Sequence, residues 1–184
     1  MQRRPITFGT DGVRGVANEG LIPEDAFRLG LAAARLFGGP IPIGRDTRLS
    51  GGMLSASLAA GAASGGAEVI DLGVLPTPGV AALAPRLGAA AAGVVSASHN
   101  PYPDNGIKFF SGEGRKLSSK KEREIESLTE DPYPERPTGS GVGAVETLKD
   151  ATRLYVEEVF GRLRPHIEGI KVLLDCANGA AYRA

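Results

Sequence analysis

At 184 residues the chain is long enough to bury one large domain, or one domain and part of another. Its 21 basic and 21 acidic residues cancel, so it offers no basic surplus to a phosphate backbone or an anionic lipid surface, which argues against nucleic acid and membrane as partners. The single cysteine, Cys176, cannot form an internal disulfide, and neither a charged start followed by an apolar signal region nor a membrane-length apolar run occurs; the expectation is a cytoplasmic protein.

In chain order, FGTDGVRGVAN (Phe8 to Asn18) comes first, where Gly9, Gly12 and Gly15 bracket Asp11 and Arg14. Glycines at this spacing let a backbone bend close to a ligand. Arg14 offers a planar fork of donors suited to phosphate; the alternative is a surface arginine in a Gly-rich turn. PEDAFRLGLAAARLFGG predicts a helix, with Pro23 in the first turn, Glu24 and Asp25 beside it, and Gly38-Gly39 as the stop. IPIGRD (Ile41 to Asp46) predicts a strand, and LSGGMLSASLAAGAASGG a tightly packed helix with Ser50 as N-cap and Gly65-Gly66 as its end. The unit recurs as a strand from Ala67 to Gly73, a helix from about Gly79 to Leu87 and an apolar run from Ala90 to Val95. GIKFF continues as a strand, and Ser118 to Glu130 reads as an exposed amphipathic helix.

This alternation predicts an α/β domain with a mixed or largely parallel sheet and helices on both faces. DPYPERPTGSGVGAV (Asp131 to Val145) changes composition and reads as a linker or a long surface connection, placing a domain boundary near residue 140. Beyond it, apolar residues at Leu148, Leu154, Tyr155, Val159 and Leu163 predict a helix, and IKVLLDCANGAA a buried strand with an Asn-Gly turn. Residues 141–184 are thus expected to begin a second, similar α/β unit. Its uncovered apolar faces predict a homo-oligomer formed through Leu148 to Tyr182, with Ile170 to Asp175 as the pairing strand.

The stretch GVVSASHNPYPDNGIKFF (Gly93 to Phe110) sets Ser98 beside His99 at the end of an apolar run, turns at Asn-Pro and Asp-Asn-Gly, and returns with Lys108. Residue types alone leave Ser98, His99 and Asn100 open to a second reading, as polar loop residues that satisfy one another. A serine-hydrolase reading lacks the GxSxG elbow, and adjacent Ser and His diverge from an extended backbone. A P-loop reading lacks GxxxxGK[ST], and His99 alone is no metal site.

Together with IGRDTRLSG (Ile43 to Gly51), LGVLPTPGV (Leu72 to Val80) and LLDCANGAAY (Leu173 to Tyr182), these segments resemble the α-D-phosphohexomutase superfamily. The flanks DNGIKFF and GTDGVRG resemble its phosphoglucosamine mutase branch more than its phosphomannomutases or phosphoglucomutases. The resemblance implies interconversion of glucosamine 6-phosphate and glucosamine 1-phosphate, on the route to UDP-N-acetylglucosamine and cell-wall precursors. Glucosamine 1,6-bisphosphate or glucose 1,6-bisphosphate would be the intermediate or activator, and Mg²⁺ the cofactor.

By the same resemblance Ser98 is the phosphorylated residue and a metal ligand through its phosphate, and Lys108 the general acid/base. His99 and Asn100 flank the phosphoserine, and Arg14 contacts the phosphoryl group. The implied catalytic set is Ser98, Lys108, His99 and Arg14, and the phosphate-binding set Arg14, Asn100 and Lys108. A serine hydroxyl is a poor nucleophile unaided, and a transferring phosphoryl group needs cations and oriented donors, so these residue types suit those roles.

Superfamily members have four domains, of which this chain matches the first and the start of the second. The DGDGDR metal loop, the sugar-recognition loop and the C-terminal phosphate loop are not in these residues, and Asp11, Asp46, Asp71, Asp104 and Asp175 stand apart in the sequence. The aspartate ligands are therefore expected elsewhere, and the chain alone is expected to be inactive. A short, non-catalytic phosphohexomutase-like binding or regulatory protein is the alternative.

Overall fold

The computed structural model of the chain describes residues 5–132, 134–163 and 168–184. Strands β1 (Val13–Val16), β2 (Ile41–Arg45), β3 (Val69–Val74), β4 (Ala91–Val95), β5 (Asp104–Ser111) and β6 (Val145–Thr147) form one sheet in the order β1-β5-β4-β2-β3-β6. The centre is parallel, as short apolar strands followed by crossover helices require: β2 pairs with β3 and with β4, and β3 with β6. The β5 strand turns back antiparallel on β4, and β1 lies antiparallel along its outer edge. The mixed sheet and the helices on both faces match the fold expected from the sequence.

Helices α1 (Pro23–Phe37), α2 (Gly51–Ser64) and α4 (Ser119–Thr129) bury one face of the sheet around Leu29, Ile43, Leu54, Leu58, Ile107 and Ile125. Each such fully buried side chain contributes about 1.5–3 kcal/mol relative to exposure. Helices α3 (Thr77–Arg86) and α5 (Ala151–Leu163) cover the other face around Leu72, Leu75, Val80, Leu83 and Val94. The pleat of β5 sorts its residues accordingly: Ile107 and Phe109 enter the first cluster, while Phe110 packs on the second.

The Ala/Gly-rich composition of α2 is explained by its seat on α1. A Cβ on Gly61 would lie 2.0 Å from the Phe27 carbonyl oxygen, and one on Gly30 would lie 2.0 Å from that of Leu58. The two helix backbones touch there, so no side chain fits between them.

Three sequence expectations change. Ser50 precedes α2 but makes no capping bond; its hydroxyl instead accepts from Asn105 Nδ2 at 2.9 Å, a partner the fold brings from β5. A strand begins at the last residue of the linker segment, because β6 finds an open parallel edge on β3, with Val145 opposite Val69 and Thr147 opposite Asp71. The helix beyond it, α5, packs on α3 through Ala151, Leu154 and Tyr155, so Leu148 to Tyr155 is covered within the chain.

The predicted strand from Ile170 to Asp175 forms no ladder, and Leu173 is 98% exposed, since no described strand lies beside it to pair with. Among the described residues no helix is long and apolar enough to cross a membrane.

Candidate active site

In parallel sheets polar loops collect beyond the carboxyl ends of the strands. Here the segment after β2 (Asp46 to Ser50) and the loop after β4 (Ser96 to Pro103) meet at that edge. Ser98 is exposed and holds φ 57°, a left-handed conformation that costs a serine roughly 1–2 kcal/mol and persists only where surrounding contacts hold it. Its N–H donates to Ser96 Oγ at 3.0 Å, and Ser96 Oγ donates to Asp46 Oδ2 at 2.7 Å. The Ser98 Oγ lies 3.4 Å from His99 Nδ1, with His99 also exposed.

The loop is tied to the N-terminal cluster by Arg14. On β1 this residue pairs with Gly106 of β5, whose missing side chain leaves the space Arg14 occupies: a Cβ on Gly106 would sit 3.0 Å from Arg14 Cγ and 2.8 Å from the Ser96 carbonyl oxygen. From there Arg14 Nη1 donates to Asn100 Oδ1 at 2.8 Å, Nη2 pairs with the Asp11 carboxylate and Nε donates to the Asp11 carbonyl oxygen at 3.3 Å. Asn100 Nδ2 in turn donates to Asp104 Oδ2 at 2.9 Å.

Lys108 joins through Asp11, with Nζ donating to Oδ1 at 3.1 Å and Oδ2 at 3.3 Å. It stands opposite Val94 on β4, two residues along β5 from Gly106 and hence on the same sheet face as Arg14. Partial burial works against the Asp11 carboxylate, yet the hydrogen bond and charge of Lys108, with Arg14 beside it, outweigh that penalty and hold its pKa below the ordinary value.

Arg14, Asn100 and Lys108 therefore join in one network, with Asp11 linking the two cations, and Ser98 and His99 stand in the same loop as Asn100. Sequence reasoning passed over Asp11 as a partner and did not single out Arg48. The Arg48 guanidinium donates from Nη2 to the carbonyl oxygens of Ser98 at 3.0 Å and Asn100 at 2.9 Å. From Nη1 it reaches those of Pro101 at 2.6 Å and Asp104 at 3.0 Å, and Nε donates to Asp46 Oδ2 at 2.9 Å. The signal in the sequence was the spacing of Asp46 and Arg48 directly after a strand.

An exposed hydroxyl in a loop that Asn100 ties to a pair of cations is suited to accept and release an anionic group, and Arg14 keeps donor capacity beyond its three bonds. A divalent cation is less well served. Mg²⁺ asks for about six oxygens in octahedral order, and among the described residues no three His, Cys, Asp or Glu side chains converge. Asp11, Asp46 and Asp104 are each engaged by the arginines or by Asn100 instead. These residues do not form a metal site by themselves.

Comparison with known proteins agrees with this architecture. The family described as "Phosphoglucomutase/phosphomannomutase, alpha/beta/alpha domain I" matches residues 5–135. A Rubrobacter xylanophilus protein named phosphoglucosamine mutase is 72% identical over 180 residues, covering 98% of this chain and 40% of the relative. One of the same name from Moorella thermoacetica is 52% identical, covering 96% and 41%. The chain thus spans about two fifths of the length of these relatives.

Among solved structures, a putative phosphomannomutase from Thermus thermophilus superposes with a TM-score of 0.71 at 32% identity, covering 83% of this chain and 35% of that one. A phosphoglucomutase/phosphomannomutase family protein from Burkholderia thailandensis gives 0.71 at 28% identity, covering 85% and 35%. With the family match over most of its length and the same α/β architecture in its sheet, the chain belongs to the phosphoglucomutase/phosphomannomutase family and carries its α/β/α domain I.

Proposed function

We propose that this chain is the phosphoserine-bearing part of a phosphoglucosamine mutase, interconverting glucosamine 6-phosphate and glucosamine 1-phosphate. The observation that carries the reading is the exposed Ser98 hydroxyl, held in a left-handed turn and joined through Asn100 to the Arg14, Asp11 and Lys108 charge cluster. The names of the similar proteins favour the glucosamine branch.

In the forward half-reaction the Ser98 Oγ–P bond breaks as a new bond forms between phosphorus and a sugar hydroxyl oxygen, giving the bisphosphorylated sugar. The proton lost by that hydroxyl passes to solvent water, and the departing Ser98 oxygen gains one from Lys108. Lys108 serves as the proton-carrying group at Ser98, giving a proton to Oγ as it departs and taking it back when Oγ attacks the other phosphate. Arg14 binds phosphoryl oxygens with its remaining N–H groups, and Asn100 holds Arg14 in place. His99 lines the exposed side of the serine. Members of the family are generally Mg²⁺-dependent; a bound Mg²⁺ would neutralise charge on the phosphoryl group, with Ser98 contributing through its phosphate and the carboxylate ligands coming from residues other than these.

In this reading the first domain continues past residue 140 to the end of α5, because β6 extends its sheet and α5 covers its second face. The protein works in the cytoplasm on a phosphosugar.

The test is mass spectrometry of the tryptic peptide from residue 87 to 108 after incubation of the whole protein with glucosamine 1,6-bisphosphate. Phosphate is expected on Ser98. Phosphate on Ser96 with a fully active Ser98→Ala variant would overturn the assignment. Comparison of kcat/KM for glucosamine 6-phosphate and mannose 6-phosphate separates the branches; a preference for mannose 6-phosphate would support the phosphomannomutase reading suggested by the name of the Thermus structure.

A further inference from the structure

We propose that Arg48 is a positioning residue that sets the serine loop for phosphoryl transfer while touching no substrate; the inference rests on the phosphoserine reading of Ser98. A guanidinium has five N–H donors. The bonds of Arg48 to the carbonyls of Ser98, Asn100, Pro101 and Asp104 and to Asp46 Oδ2 number five acceptors, one for each donor. Its side chain is only 10% exposed. Arg48 therefore has no donor left for a phosphate unless it releases the loop. Arg14, with three acceptors, retains donors to bind one.

The consequence is local to Ser98. Its carbonyl is held by Arg48 and its N–H by Ser96 Oγ, so the peptide groups on both sides of the residue are fixed. Asp46 binds both supports, accepting from Arg48 Nε and from the Ser96 hydroxyl on the same oxygen, Oδ2. This frame maintains the left-handed backbone that presents Oγ outward. Because the peptide that follows Ser98 is planar and trans, the His99 N–H points opposite to the Ser98 carbonyl and so away from Arg48. It takes no part in the bonds of Arg48 or Ser96 to the loop, and it adjoins the residue that carries the phosphoryl group.

The experiment combines amide hydrogen exchange over the loop with steady-state kinetics, on the whole protein and on Arg48→Lys, Arg48→Met and Ser96→Ala. Lysine can supply three donors to five acceptors, in a geometry that does not match a planar fork. Arg48→Lys is expected to fold, to speed exchange at Ser98 by at least about tenfold, and to lower kcat about 30-fold or more with KM within about threefold. Ser96→Ala should move both readouts in the same direction by a smaller factor. In the wild-type protein the Ser98 amide should be protected, and the His99 amide should gain protection only when Ser98 is phosphorylated.

Folded Arg48→Lys or Ser96→Ala protein with wild-type kcat and wild-type exchange overturns the proposal. So does a raised KM at unchanged kcat, which would make Arg48 a substrate ligand. If none of the variants folds, the wild-type protein decides: an unprotected Ser98 amide overturns the proposal and a protected one, with phosphorylation-dependent protection at His99, supports it. A fully active Ser98→Ala would instead sink the phosphoserine reading, whatever the loop does in the Arg48 variants.

Discussion

Replacing Gly61 with alanine sets two effects against each other on one atom. In an exposed helix, Gly→Ala gains about 0.8–1 kcal/mol from backbone propensity. At Gly61 the added methyl would lie 2.0 Å from the Phe27 carbonyl oxygen, 2.8 Å from its carbon and 3.0 Å from Leu31 N, all backbone atoms of α1 that cannot rotate aside. Restoring ordinary contact requires α1 and α2 to separate by more than about 1 Å, and such overpacking costs about 1–3 kcal/mol or more.

With the cost at the upper end, the net destabilisation is about 2 kcal/mol, or a melting temperature lower by about 4–8 °C for a chain of this size. Gly52, on the exposed side of the same helix with nothing within 4 Å of its would-be methyl, provides the control. There alanine should leave the melting temperature unchanged or raise it by a few degrees, because only the propensity gain of up to about 1 kcal/mol remains. Thermal unfolding followed by far-UV circular dichroism measures both. A Gly61→Ala chain that melts at or above the wild type would refute the direct backbone contact. The separation also matters to the site, since α2 begins three residues after Arg48.

Lys108→Arg keeps a positive charge against Asp11 but, with a pKa above about 12, cannot release a proton near neutral pH; turnover of the whole protein should fall about 10²–10⁴-fold, and near-normal kcat would contradict the proton-transfer role. Asp11 has its pKa lowered on folding, so its contribution to stability is present above pH about 4 and is lost as pH falls through its folded value. Because its side chain is 43% exposed the contribution is small and screened by salt; denaturant titrations should show the gap between wild type and Asp11→Asn shrinking from pH 7 to pH 3, and a gap that widens would refute the pairing. The exposed run of Ile170, Val172, Leu173 and Leu174 should make the isolated chain self-associate, and Leu173→Lys with Leu174→Glu should restore a monomer in light scattering; a wild-type chain that is monomeric at high concentration would contradict this.

Local signals in the sequence were sufficient for the helices and the central strands. Pro23 with Glu24 and Asp25, the glycine stops at Gly38 and Gly65, and the apolar runs of β2, β3 and β4 each act over a few residues, and each element formed close to its expected bounds. The serine-loop motif likewise pointed to Ser98, His99, Asn100 and Lys108, and the N-terminal Gly-rich cluster to Arg14.

Other features depended on partners supplied by the fold. β1 reads as a Gly-rich turn until β5 lies beside it, and β6, three exposed residues long, is a strand only because β3 leaves a parallel edge open. The run from Ile170 to Asp175 shows the converse, since apolar character without a neighbouring strand makes no ladder.

The site followed the same division. The resemblance of its motifs implied a phosphate-handling loop, but the engagement of Asp11 by both Lys108 and Arg14 joins residues 97 and 3 positions apart. The clamp of Arg48 on carbonyls about 50 residues away is equally invisible along the chain. Helix caps and apolar periods are short-range and survive in one dimension. A guanidinium's choice of acceptors is decided by which backbone oxygens the sheet brings within about 3 Å, and that is set only when β2, β4 and β5 have paired.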